Sequence, residues 1–240
     1  LYTMVDTMVV GQVAGVEALA ALGAVDFLMW VVTGISTGLT QGFSIQLSQY
    51  YGAKDFENLR KSLAHSYRLT AFIAAGVLIL SQSFASLVLT GLHTPSNIIG
   101  MSLLYLRIIF CGIPATAAYN MFASALRAMG NSKTPLTAMI IASVLNVSLD
   151  ILFVAGFGWG VAGAAIATVI AQSFSAVYCF LILRRIDIVH LTRADFMPAS
   201  GMNARLMKLG IPVVFQNIII GVGGLVVQYV INGYGFLFVA

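Results

Sequence analysis

Residues 135–184 read PLTAMIIASVLNVSLDILFVAGFGWGVAGAAIATVIAQSFSAVYCFLILR. Two apolar runs, 135–156 and 160–184, are separated only by Phe157-Gly158-Trp159. Crossing a bilayer as a helix takes about 20 mostly apolar residues, and each run meets that length. The pair predicts two membrane-spanning helices joined by a tight turn, with one carboxylate, Asp150, inside the first.

Working outward, similar runs recur along the chain. They predict seven spanning helices at roughly 1–16, 25–49, 62–91, 98–127, 135–156, 160–184 and 207–233. Composition agrees: hydrophobic residues make up 60% of the 240 and charged residues 8%, with a mean hydropathy of +0.96. Soluble domains carry about 25% charged residues, so this chain cannot cover a water-facing surface. The fold class is therefore an all-α polytopic membrane protein. Pro114 lies within 98–127 and predicts a kink or tilt there. Thr134-Pro135 reads as an N-cap followed by a first-turn proline. Cys111 and Cys179 both sit in apolar runs and read as small core residues, with no metal-ligand spacing. Residue 1 falls within an apolar helix and residue 240 within GFLFVA, so the chain is expected to be a fragment of a longer protein.

The cations sort by loop. Lys54, Arg60, Lys61 and Arg68 follow the second run, Arg127 and Lys133 follow the fourth, and Arg184, Arg185, Arg193, Arg205 and Lys208 follow the sixth. These are eleven of the twelve Lys and Arg residues. The alternate loops, around Glu17, His93-Thr94-Pro95 and Phe157-Gly158-Trp159, hold none. The positive-inside rule places loops 50–61, 127–134 and 185–206 in the cytoplasm and the protein in the cytoplasmic (inner) membrane. The net charge of +4 is thereby a topology signal, and no nucleic-acid partner is expected. Loop 185–206, with charges of alternating sign, reads as a linker between two helical bundles. Gly34, Gly38 and Gly42, and again Gly156, Gly160 and Ala164, recur every four residues, a spacing that lets helix backbones approach closely.

Ionisable groups inside a spanning helix are costly unless they face a cavity or a partner. Asp6, Arg107 and Asp150 are the three. At the ~1.5 Å rise per residue they lie roughly 15, 14 and 9 Å below the outer surface. Asn146 is one helical turn from Asp150, and Thr168, Tyr105 and Tyr2 fall at similar levels. Asn146 and Thr168 each also suit a plain helix–helix hydrogen bond, and Arg107 is available as a salt-bridge partner. Two carboxylates and an amide at one depth favour a cation or proton site, because burial raises a carboxylate's pKa and lets it take up and release a proton or Na⁺.

The same residues carry a family resemblance. YTMVDTMVVGQVAGVEALAALG, SQYYGAKD, LRAMGNSKTP, VLNVSLDILFV and GWGVAGAAIATVIAQ resemble, in order, signatures of the multidrug and toxic compound extrusion (MATE) family. The resemblance implies twelve helices in two six-helix lobes. This chain would be the N-terminal lobe (1–184, first helix truncated), the inter-lobe linker (185–206) and the first helix of the C-terminal lobe (207–240, truncated). It implies antiport, in which a drug-like, often cationic small molecule leaves as H⁺ or Na⁺ enters, with no cofactor and with the missing C-terminal lobe as partner. It implies a cation or proton-coupling site at Asp6, Asn146, Asp150 and Thr168, with Na⁺ able to sit at Asp6, Asn146 and Asp150. Tyr2, Tyr105 and Arg107 are candidates for substrate or pathway contacts. As the first helix of an absent lobe, the seventh run is expected to present Gln216, Asn217 and Gln228 without partners and either to dock loosely or to self-associate through that face.

A lipid-linked oligosaccharide flippase of the same wider superfamily is the alternative, although such cavities carry several cations and only Arg107 is available here. An intramembrane aspartyl protease is disfavoured because Asp150 sits in NVSLD rather than GxGD. No Walker A loop is present to drive an ATP-powered pump. No repeated ring of charges or carbonyls suggests a channel.

Overall fold

Apolar runs in lipid must satisfy every backbone amide internally, and helices do so. The computed structural model describes residues 2–233, and the side chains from residue 7 onward except that of Met8. Helices α1 (Tyr2–Val13), α2 (Val16–Gly23), α3 (Asp26–Gly52), α4 (Phe56–Gly91), α5 (Ile99–Cys111), α6 (Ile113–Ala128), α7 (Lys133–Asp150), α8 (Gly160–Leu183) and α9 (Met202–Asn232) account for most of it. Five segments are long and apolar enough to cross a membrane: 16–52, 56–91, 133–156, 160–183 and 202–232. The α5–α6 pair, bent by 46°, makes a sixth if counted as one span. The described part of the first run is the 12-residue α1, too short to count by length.

Several boundaries differ from the sequence expectation for identifiable reasons. The outer loop around Glu17 is itself a helix, α2, whose Ala18, Ala20, Ala21 and Leu22 are buried; Ser102 on α5 donates to the Ala21 carbonyl at 3.1 Å. Helix α4 begins at Phe56 instead of 62, because the Asp55 side chain accepts from the Asn58 amide and Lys61 pairs with Glu57 one turn away at 2.6 Å. Hydropathy marks only the apolar part of such a helix. Pro114 does mark a break: it sits in the first turn of α6, where its missing N–H costs nothing. The break centres on Gly112, where a Cβ would lie 2.7 Å from Val169 Cγ2 of α8.

Helix α7 starts at Lys133, not at a Thr134 cap; the Asn131 side chain accepts from the Thr134 amide at 3.1 Å and does the capping. Gly156 and Gly160 do not form a close packing seam, since a Cβ at Gly156 meets only ordinary contacts and one at Gly160 meets none. Gly158 and Gly160 instead turn the chain at φ of +71° and +52°. Cys179 is buried as expected, while Cys111 is exposed; Gln82 Nε2 donates to its sulfur at 3.3 Å.

Two apolar cores stack along the length of the bundle. The one nearer Glu17 gathers Val10, Leu22, Leu28, Leu89, Leu106, Phe110 and Val161. The one nearer Lys54 gathers Leu39, Phe43, Leu47, Leu63, Met121, Leu126 and Leu206. Phe72, Ile79, Leu87, Val144, Phe215 and Ile219 are exposed, as lipid-facing side chains must be.

Helix α9 is not loosely docked. It lies along α3 on the Gly34, Gly38, Gly42 stripe, where a Cβ at Gly42 would sit 2.3 Å from Gly210 Cα. Asn217 Nδ2 donates to the Gly34 carbonyl at 3.1 Å. Gln228 Nε2 donates to Asn232 Oδ1 at 2.8 Å, and Asn232 Nδ2 donates to the Leu92 carbonyl at 2.8 Å. Of the three polar residues expected to lack partners, only Gln216 stays exposed. The linker is pinned as well. His65 of α4, wholly buried, places Nδ1 at 2.6 Å from Asn203 Oδ1 and Nε2 at 3.1 Å from the Met197 carbonyl. Arg68 donates to the Phe196 carbonyl at 3.0 Å.

Candidate functional site

The i,i+4 spacing of Asn146 and Asp150 puts both on one face of α7, and that face is turned inward. Both residues are 0% exposed, and Thr168 on α8 is 6% exposed. Asn146 Nδ2 donates to Thr168 Oγ1 at 3.3 Å. Its Oδ1 has no hydrogen-bond partner among the described residues. A buried acceptor left open in hydrocarbon is costly, which makes this oxygen an available ligand for a proton donor or a cation.

Asp150 is the last α-helical residue of its segment. From Ile151 to Gly156 the backbone widens into a π-helical turn. Such turns are rare and are frequently found at functional sites. The turn is held by the Phe157 amide donating to the Leu152 carbonyl at 2.9 Å and by Phe153 stacked on Phe157 and Trp159, with centroids 6.0 and 5.1 Å away. Gly163 of α8 presses against it, since a Cβ there would lie 3.0 Å from Phe153 Cβ.

Helix α1, which carries Tyr2 and Asp6, packs against α7, the π turn and α8. The side chains of Tyr2 and Asp6 lie outside the described residues. Tyr105 on α5 is buried in the core nearer Glu17, and α5 packs against α8. Arg107 departs from the group. The buried stripe of α5 is Ser102, Tyr105, Leu106, Ile109 and Phe110, and Arg107 falls off it and is exposed. Among the described residues it forms no ion pair; its backbone carbonyl accepts from Gln82 Nε2 at 2.8 Å. Depth along a helix is legible from spacing, but the angular position of a lone cation depends on which face the neighbours bury.

A second polar strip was not singled out in the sequence. A cavity of about 300 Å³ is lined by Trp30, Thr33, Gly34, Thr37, Gln41 and Asn217. Asn120 on α6 donates to Thr37 Oγ1 at 3.1 Å. The available signal was Thr33, Thr37 and Gln41 at four-residue spacing, one position out of phase with the glycine stripe.

Helices of membrane length, lipid-facing apolar surfaces and a carboxylate, an amide and a hydroxyl enclosed between helices define a multi-pass membrane protein built around an intramembrane polar site. Comparison with known proteins then fixes the family. The MatE family model matches residues 1–152, and the chain belongs to that family. It is similar to "Probable multidrug resistance protein YpnP" of Bacillus subtilis (strain 168), at 30% identity over 98% of this chain and 52% of that protein. It is also similar to "Multidrug export protein MepA" of Staphylococcus saprophyticus, at 23% identity over 98% of this chain and 52% of that one. The inward-facing conformation of a multidrug resistance MATE family transporter of the MOP superfamily superposes with a TM-score of 0.91 at 22% identity, over 99% of this chain and 55% of that one. A MATE crystal structure in the bent conformation superposes with a TM-score of 0.87 at 24% identity, over 92% and 50%. The chain thus spans about half the length of the curated relatives it matches.

Proposed function

We propose that the polypeptide to which this chain corresponds is a cation-coupled antiporter that exports drug-like, often cationic small molecules, with its coupling site at Asn146, Asp150 and Thr168 of this lobe together with Asp6 of α1. The observation that carries this is the wholly buried pair of Asn146, which donates to Thr168, and Asp150, which precedes a π turn. Such a group can alternate between a neutral and a charged form, which is the elementary step of ion coupling. Protonation or Na⁺ binding at Asp150 would discharge the interior while the lobe faces one side of the membrane. Release on hydration from the other side would restore the charge. Asn146 Oδ1 supplies a hard oxygen ligand, and Thr168 fixes the amide's orientation through its hydroxyl. Alternating access then consists of rocking this bundle against its counterpart around a central cavity.

The test is dye or drug efflux from vesicles holding the full-length protein under an imposed pH or Na⁺ gradient. Asp150→Asn keeps the side chain's size and cannot change charge, so coupled export is expected to fall to background while insertion persists. Normal export by that variant and by Asp6→Asn would place coupling elsewhere. Orientation is checked independently. A Cys replacing His93 or Gly158 should react with an impermeant thiol reagent from outside, and one replacing Asn58 should not; reversed labelling overturns the cytoplasmic placement of loops 50–61, 127–134 and 185–206.

A further inference from the structure

A cavity of about 400 Å³ lies between the C-terminal end of α3 and the first turns of α9, lined by Gln46, Gln49, Tyr50, Arg205, Lys208 and Leu209. It is at the other end of α3 from the helix's outer start and takes no part in the polar site on α7. Arg205 and Lys208 are three residues apart on α9 and therefore share a helix face. Among the described residues neither has an ion pair or a side-chain hydrogen bond, and no carboxylate lines the cavity. Two like charges side by side with no counter-charge repel each other, and an anion between them removes that repulsion.

The neutral lining points the same way. Gln46 is only 3% exposed, yet its Oε1 has no partner among the described residues. Its Nε2 faces the Met202 sulfur at 3.0 Å and the Tyr50 hydroxyl at 3.4 Å. Gln46 thus closes the buried end of the cavity, while Gln49 on the same lining is exposed and carries an amide N–H that can donate to an anion. The level in the membrane is set by α9 itself. One turn beyond Lys208 the exposed residues become Ile211 and Phe215, so the cations sit at the rim of the lipid-facing surface.

We propose that this cavity binds the phosphate of an anionic phospholipid headgroup. Arg205 would take two phosphate oxygens in its fork, Lys208 would add a point charge, and the exposed Gln49 amide would donate beside them. Basic pockets between spanning helices on the cytoplasmic side are suited to such headgroups. The assignment to the cytoplasmic leaflet rests on the orientation proposed above.

The experiment uses the full-length protein in phosphatidylcholine nanodiscs, titrated with phosphatidylglycerol, with the thermal unfolding midpoint as readout. The midpoint of the unmodified protein is expected to rise with phosphatidylglycerol. The Arg205→Gln, Lys208→Gln double variant should lose most of that rise. The Arg184→Gln, Arg185→Gln double variant removes the same charge away from the cavity and should keep it. Inorganic phosphate alone should leave the midpoint where it was. Equal responses from the two double variants would reduce the effect to bulk surface charge and overturn the site. No response in the unmodified protein, as when an acidic surface of the second lobe fills the cavity, would overturn it too, and so would a rise reproduced by inorganic phosphate. If the Arg205, Lys208 variant does not fold, Lys208→Gln alone carries the test, and an undiminished rise overturns the proposal. Failure of the orientation shows separately, as labelling of a Cys at position 58 from outside with the lipid response intact.

Discussion

The seam between α3 and α9 and the seam between α7 and α8 join helices by opposite means. Along α3 the contact is backbone on backbone: a Cβ at Gly38 would lie 2.9 Å from Val214 Cα, and one at Gly42 would lie 2.3 Å from Gly210 Cα. Asn217, a polar side chain on that seam, is spent on a carbonyl of the facing helix. Toward the end of α7 the contact with α8 runs through side chains, with Asn146 donating to Thr168 and Asp150 enclosed one turn away. The Gly38 and Gly42 contacts have nothing to protonate and no side chain of their own to reorient, so they can only hold or come apart. A seam of amide, hydroxyl and carboxylate can change charge without changing shape. The first suits a fixed joint and the second suits a switch.

The sharpest way to break that contrast is to neutralise the switch and overpack the joint in parallel. Asp150→Asn is expected to reduce gradient-driven export more than about tenfold, equivalent to ~1.4 kcal/mol or more of barrier, while the unfolding midpoint stays close to that of the parent. An export defect that merely tracks lost protein would mean that Asp150 is structural. Gly42→Leu should show the reverse pattern. Forcing a side chain into a closed contact costs ~1–3 kcal/mol, visible as a lower midpoint and reduced cross-linking between cysteines placed on α3 and α9. Gly223, one residue from the buried Gly224 but with open space at its Cβ position, is the control. Gly223→Ala should be neutral or stabilising by up to ~1 kcal/mol. Equal damage from both substitutions would show that the loss at Gly42 does not come from its close approach to α9.

Thr168→Val refines the description of the α7–α8 seam. It removes one intramembrane hydrogen bond, worth about 0.6 kcal/mol on average. Export should slow by a few-fold and keep its dependence on the gradient. A loss as complete as that of Asp150→Asn would make Thr168 an obligatory ligand.

The smallest effect belongs to Asp55, outside both seams at the start of α4. Hydrogen bonds from the Asn58 side chain, and then from its backbone amide, hold the Asp55 carboxyl below its ordinary value of 3.8, with Lys61 adding to the effect. A carboxyl lowered in the folded state contributes stability above its unfolded pKa and loses it as pH falls through the lowered value. Protease susceptibility of the 52–56 turn should therefore rise slightly below pH 3.8 in the parent, and Asp55→Ala should show the raised susceptibility already at neutral pH. No difference between the two at neutral pH would remove the cap from the account of α4.

Much of this was legible in order along the chain. The apolar runs, the Pro114 break and the buried Asn146, Asp150 and Thr168 all follow from hydropathy and four-residue spacing. Three outcomes turn on helix angle. Arg107 shares the register of the acids yet stands on an exposed face, Gly156 and Gly160 keep a packing spacing but meet no close neighbour, and α9 seats firmly along α3. Each depends on the angle at which a helix faces its neighbours, and a linear period carries depth but not azimuth.

The sequence by itself determined that this is a helical membrane protein, which ends of its helices carry the positive charge, and how far along each helix its polar residues fall. Those properties come from local composition and from the fixed rise of a helix. Only the tertiary structure decided that Asn146 bonds Thr168, that Arg107 stands apart on an exposed face, that Asp150 opens a π turn and that the Gly34–Gly42 stripe is the seat of α9. Each of these requires two segments to meet, and which faces meet is settled by the packing of all the helices together.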